Sequence, residues 1–208
     1  MQQATLRNAT PPAEDRPAPG AALPYEFGIV GAEDRARIQR FIYAAYEAAY
    51  GAHLSAFMPV LAAVERGTEV VAACGLRRAA AGPLFVETYL DLPVDDMLST
   101  VAGASVARDA IVEVGNLAIS RPGYARVLIR LLTEHLYALG AQWVAFTAVP
   151  ALRNNFVALG IPLYPLGPAR PDRLPADARE QWGRYYDSAP QVSAVRVADA
   201  AAAIGRTS

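Results

Sequence analysis

Two carboxylates interrupt runs that otherwise read as buried strand, Glu113 in AIVEVGNLAI and Glu87 in LFVETYLD. A buried, unpaired charge costs several kcal/mol, and burial raises a carboxyl pKa toward the range useful to a general base. Both are therefore candidate catalytic groups; the competing reading is a buried ion pair with Arg108, Arg77 or Arg78. On the two-residue period of a strand, Glu113, Gly115 and Leu117 share a face, and Asn116 points the other way unless Gly115 marks a bulge. A bulge at Gly115 would splay two parallel strands and open a cleft, with Asn116 suited to hydrogen-bond a substrate carbonyl or, alternatively, to satisfy a turn. His53, in GAHLSAFMP, is a secondary acid or base candidate, or else a loop or cap residue.

Composition removes several other chemistries. The 208 residues are 53% hydrophobic and 19% charged with a net charge of -1, too apolar for a disordered chain and without a field to attract nucleic acid or an anionic membrane. All nineteen basic residues are arginine, which excludes lysine Schiff-base chemistry and a lysine-dependent phosphate loop. Cys74 is the single cysteine and reads as a small buried hydrophobe, and His53 and His135 are the only histidines, so neither a disulfide nor a metal site is expected. His135 falls on a helical pattern. No run matches the ~20 apolar residues of a spanning helix, and residues 1–24 lack the apolar stretch of a secretory signal. The expectation is a soluble, cytoplasmic protein with a disordered Pro/Ala-rich arm over 1–24, one domain over 25–192 and a flexible or weakly helical tail over 193–208.

The elements that must position these residues can be read in order. YEFGIV is a short strand, and AEDRARIQRFIYAAYEAAYG a helix closed by Gly51, carrying Tyr43, Tyr46 and Tyr50 as core, pocket wall or amphipathic rim. Pro59 to Val64 and Glu69 to Leu76 form a hairpin, LFVETYLD a third strand, and VDDMLSTVAG a short helix after Pro93. AIVEVGNLAI is apolar enough for the sheet centre. The loop SRPGYA leads into ARVLIRLLTEHLYALG, whose apolar spacing is that of a helix on a sheet, and WVAFTAV follows as the parallel partner strand. PALRNNFVALG is a short helix. Beyond Gly160 the prolines argue against any regular element, WGRYYDSAP reads as an aromatic edge or closing strand, and VRVADAAAAIG as a weak helix.

The order helix, antiparallel strands, central strand, loop, helix, strand, helix resembles the acetyltransferase-like fold abbreviated GNAT: an α/β class with a mixed sheet, antiparallel amino-terminal strands and a parallel strand-helix-strand crossover. FIYAAYEAAYGAHLSAFMPVL, GPLFVETYLDLPV, RDAIVEVGNLA, WVAFTAVPALRNNFVALGI and WGRYYDSAPQV, within Phe41 to Val192, resemble the family named for thermostable hemolysin. The family name implies lysis. The fold resemblance implies acyl transfer, near acyl-homoserine-lactone synthases, from acyl-CoA or a phosphopantetheinyl acyl carrier protein to a small amine or amino acid; a non-catalytic module binding such a carrier or a metabolite is the third reading.

What the resemblance implies can be placed residue by residue. The strand segment Leu117, Ala118 and Ile119 would bind the pantetheine arm through its backbone. Arg121, Gly123 and Arg126 fall on the pyrophosphate loop, where RPGYA brings its glycine one residue earlier than the family pattern. Arg153 and Asn154, with Asn155, open the last helix and would hold the donor, or else cap it. Tyr89, Arg108, His53, Tyr43 and Thr147 are candidates for the acceptor side, Thr147 provided its strand register turns it to the cleft. Phe156 stands where related enzymes place a tyrosine acid, which leaves Tyr89, Tyr124 and Tyr164 as substitutes.

Overall fold

The computed structural model describes residues 25–207. A seven-stranded sheet of order β1-β2-β3-β4-β5-β7-β6 runs through it, with the single parallel pair at β4–β5. The strands are β1 (Glu26–Ile29), β2 (Val60–Arg66), β3 (Glu69–Arg78), β4 (Ile111–Ile119), β5 (Trp143–Ala148), β6 (Tyr164–Pro168) and β7 (Gln191–Arg196). The helices are α1 (Arg35–Tyr50), α2 (Val94–Ala102), α3 (Tyr124–Ala138), α4 (Pro150–Ala158), α5 (Ala176–Glu180) and α6 (Val197–Thr207).

Side-chain period decides which face each helix covers. In α1, Ile38, Ile42 and Tyr46 recur every four residues and are buried with Ala63 and Ala73 on one face of the sheet. Leu128, Leu132 and Leu136 of α3 pack with Val112, Val114 and Phe146 on the opposite face. Gly51 ends α1 in the left-handed conformation at φ 65°, its N–H donating to the Glu47 carbonyl.

Three segments depart from the sequence reading. LFVETYLD is not a strand: Phe85–Tyr89 is a 3-10 turn. The reason is side-chain competition, since the amide of Leu84 donates to Glu87 and those of Phe85 and Val86 to Glu113, replacing ladder partners. WGRYYDSAP closes no sheet either; its tyrosines begin the 3-10 turn Tyr185–Ser188. The proline-rich segment does hold a strand, β6, whose Pro165 and Pro168 are tolerated because β6 is the sheet edge.

The carboxyl-terminal stretch read as a flexible or weakly helical tail is helical over Val197–Thr207 and packs into the core. β7 inserts between β5 and β6, and Val197, Ala200, Ala203 and Ile204 of α6 are buried against the α3 side. The arm over 1–24 lies outside the described residues.

Candidate active site

The ladder between β4 and β5 runs from Ile111–Trp143 to Val114–Phe146 and stops there. Beyond it β5 continues to pair with β7 through Ala148, and β4 with β3 through Ile119, so the two strands fork. A cavity of about 180 Å³ passes through the fork and reaches both faces of the sheet. On the α3 side it is walled by Leu128, Ile129, Leu132, Leu136, Phe146 and Phe156; on the other side by Tyr46, Phe57, Phe85, Tyr89, Trp182 and Tyr185.

Glu113 stands just below the fork on the aromatic side, 1% exposed. Its two carboxyl oxygens accept the amides of Phe85 at 3.0 Å and Val86 at 2.8 Å. Burial pushes its pKa above the ordinary carboxylate range; those two hydrogen bonds and the charge of Arg77 act in the opposite direction and are outweighed. The outcome is an oriented carboxylate with an appetite for a proton.

The bulge lies one residue later than the sequence reading placed it. On β4, Asn116 and Leu117 both oppose Cys74 of β3, and Asn116 adopts φ 49°. Leu117 and Ile119 consequently turn to the α3 core instead of sharing Glu113's face, while Ala118 returns to the α1 side. Asn116 lines the cavity and its Oδ1 accepts the amide of Met58 at 2.8 Å. Gly75 and Gly115 face each other across the β3–β4 ladder. Met58 lies over both, and a Cβ on either glycine would collide with its side chain.

Glu87 does not join Glu113. Its carboxylate takes Arg108 at 2.7 and 3.1 Å and the amides of Leu84 and Val94. Burial alone would raise its pKa, but Arg108 and the two amides overcome this and lower it to about 2. The pair lines a separate hollow beside Pro93, apart from the cavity that Glu113 enters. Arg108 bonds Glu87, Asp95 and the carbonyls of Ala79 and Gly82, which makes it a clamp for the 79–95 segment, and it does not line the cavity that holds Glu113.

The other sequence candidates divide. Tyr89 reaches the cavity, its hydroxyl bonded to that of Tyr186, and burial foremost, then this hydrogen bond, raises its pKa. Thr147 also reaches it, with Oγ1 buried and without a hydrogen-bond partner. Tyr124 packs in the α3 core and Tyr164 against Trp143, both away from the cavity. His53 is 64% exposed and bonds Tyr43 at 2.8 Å, so neither lines the cavity.

The donor-loop candidates lie past the ends of β4 and β5. Arg121 bonds the hydroxyl of Tyr124 at 2.7 Å, and Gly123, at φ 103°, turns the chain into α3. The amides of Tyr124 and Arg126 donate to the carbonyls of Arg121 and Gly123, so these two are not free to hold an anion. Arg126 reaches Asn155 at 3.4 Å, Arg153 the Ala148 carbonyl at 3.2 Å, and Asn154 is exposed. Among the described residues no cluster of His, Cys, Asp and Glu has the makings of a metal site.

Sequence reasoning missed Met58, Phe57, Phe85, Trp182 and Tyr185 as cavity wall. The aromatic run WGRYYD carries the signal, although by itself it reads as an aromatic edge or a closing strand. It reaches the cavity because Arg184 donates its amide to the Tyr50 carbonyl and His53 its amide to Gln181, lashing two distant segments together.

A model of the family described as thermostable hemolysin matches residues 30–201. The chain belongs to the thermostable hemolysin family. The comparison with curated proteins finds no match. Among solved structures, this hemolysin-family chain is similar to FeeM, an N-acyl amino acid synthase from uncultured soil microbes, with TM-score 0.57 at 13% identity over 85% of this chain and 92% of that one. It is also similar to TofI, solved in a ternary complex with an inhibitor and MTA (TM-score 0.57, 13% identity, 87% of this chain and 96% of that one). The AHL synthase LasI gives TM-score 0.55 at 9% identity over 83% and 89%. At such identities the likeness establishes the fold, and the GNAT-like α/β architecture expected from the element order is what the hemolysin-family chain adopts.

Proposed function

We propose that the protein is an N-acyltransferase that moves an acyl group from a thioester, carried on CoA or an acyl carrier protein, to a small amine or amino acid. The observation that carries this reading is the fork beyond Val114–Phe146 with buried Glu113 at its base and an apolar cavity running through it. The arm of a thioester is long and thin and offers amides; the edge of β4 facing β5 past Val114 has no strand partner among the described residues and can pair with it. The acyl tail then enters the apolar half under α3, where each buried methylene is worth about 0.8 kcal/mol.

In the proposed reaction Glu113 takes a proton from the substrate ammonium and frees its lone pair. The nitrogen attacks the thioester carbonyl, a C–N bond forms and the C–S bond breaks. The proton that nitrogen still loses on becoming an amide goes to the departing sulfur, so thiol and amide are the products. Tyr89 is better suited to donate a hydrogen bond than a proton: a phenol whose pKa is raised lies well above a thiol at ~8.5 and keeps its hydrogen. Similarity of fold to a protein described as an N-acyl amino acid synthase and to an AHL synthase supports the reaction class.

The test is release of free thiol from acyl-CoA and acyl-carrier thioesters against a panel of amines and amino acids. Release that depends on acceptor and fails in Glu113→Gln supports the reading; no release from either protein sinks it. The family's name favours a second reading, direct membrane lysis, although no helix among the described residues is long and apolar enough to cross a membrane. Dye leakage from liposomes separates the two: leakage by protein alone, retained in Glu113→Gln, supports lysis. Leakage only after donor and acceptor are added points to an amphiphilic acylated product.

A further inference from the structure

Arg77 is a cavity-lining cation that the proposed reaction leaves unemployed. It lies on β3 directly opposite Glu113 of β4, so the two side chains leave the same face of the sheet, with Cβ atoms roughly 5 Å apart in such pairs. Arg77 forms no ion pair among the described residues: Glu113 is held by the amides of Phe85 and Val86, and Glu87 is taken by Arg108. Of the five N–H donors of a guanidinium, one is engaged, at 3.3 Å to the carbonyl of Pro83. Phe57, Phe85, Tyr89 and Trp182 stand around the pair on this side, with Met58 and Asn116 beside them.

An opposed carboxylate and guanidinium, both reaching one aromatic chamber, complement a molecule with an ammonium and a carboxylate on one carbon and an aromatic side chain. We propose that the acceptor is an aromatic α-amino acid and that Arg77 is the residue that selects it, through its α-carboxylate. Glu113 then faces the ammonium, and Phe85 and Trp182, stacked on each other at 5.8 Å in the cavity wall, form an aromatic surface against which the side chain packs. A plain amine would leave the Arg77 guanidinium without a partner, and an aliphatic amino acid would leave the aromatic walls unfilled. This inference rests on the acyl-transfer reading, and it also makes a claim about binding that needs no turnover.

The experiment is calorimetric titration of the full chain with phenylalanine, phenethylamine and alanine. Phenylalanine binds about 10- to 100-fold tighter than phenethylamine, the range of one charge-assisted contact, and tighter than alanine. Arg77→Gln lowers phenylalanine affinity by that factor and shifts phenethylamine far less; Arg77→Lys, which keeps charge but not the fork, recovers part of it. Wild-type protein that binds phenethylamine as well as phenylalanine, or binds neither, overturns the assignment, as does an equal loss of both in Arg77→Gln. Thiol release with no such preference overturns it too. The expected preference without thiol release overturns acyl transfer and leaves Arg77 as the carboxylate-binding residue.

Discussion

Val114 and Phe146 are the last opposed residues of the β4–β5 ladder, and both turn toward α3, so the fork opens over an apolar floor and not over solvent. Glu113 precedes this rung by one residue and points to the other face. The proposed base and the proposed acyl chamber are thereby held on opposite sides of one sheet and meet where the strands part.

Glu113→Gln should lower the rate of acceptor-dependent thiol release by about 100- to 10,000-fold, the usual worth of a positioned base. The sign of the pH effect follows from burial: the carboxyl titrates above its ordinary range, and only its ionised form takes a proton. The wild-type rate rises with pH through that raised pKa, and a rate-against-pH profile of Glu113→Gln should lack this limb.

Gly75 and Gly115 both make room for Met58, but at different ends of its side chain. A Cβ at Gly75 meets Met58 at its own Cβ and Cγ, which cannot swing away, whereas one at Gly115 meets the terminal Cε. Gly75→Ala should cost about 1–3 kcal/mol in urea unfolding and Gly115→Ala less than about 1 kcal/mol. Gly115→Ala should act mainly on the acceptor KM, because the displaced methyl moves within the cavity wall.

The Glu87–Arg108 clamp makes stability acid-sensitive. Glu87 titrates at about 2 in the folded protein against an ordinary 4.5, so its contribution is present above 4.5 and lost as pH falls toward 2. Urea unfolding at several pH values should show stability falling across this window in the wild type, and a shallower fall in Glu87→Gln.

Thr147 keeps a buried hydroxyl without a partner at the fork. Thr147→Val should raise the stability of the ligand-free protein by about 1 kcal/mol, seen as a higher Tm. If the hydroxyl is held for the thioester, the same variant raises the donor KM several-fold; an unchanged donor KM assigns it no part in binding.

Some of this was legible in the chain itself. The run IVEV with a glutamate in its middle, the glycine-containing turn into an amphipathic helix, and the apolar WVAF strand dictate a parallel crossover with a carboxylate near its centre, because periodicity and turn chemistry are local properties. Which glutamate is free was not local. Glu87 meets Arg108 across 21 residues and Glu113 meets the Phe85 and Val86 amides across 28 and 27, and no spacing rule distinguishes the two runs. The placing of the bulge at Asn116, the strand hidden among the prolines of β6, and the return of Trp182 and Tyr185 to the cavity were likewise decided by tertiary contacts. Each depends on a partner distant in sequence that supplies the missing hydrogen bond or the covering surface, and such partners exist only once the chain has closed on itself.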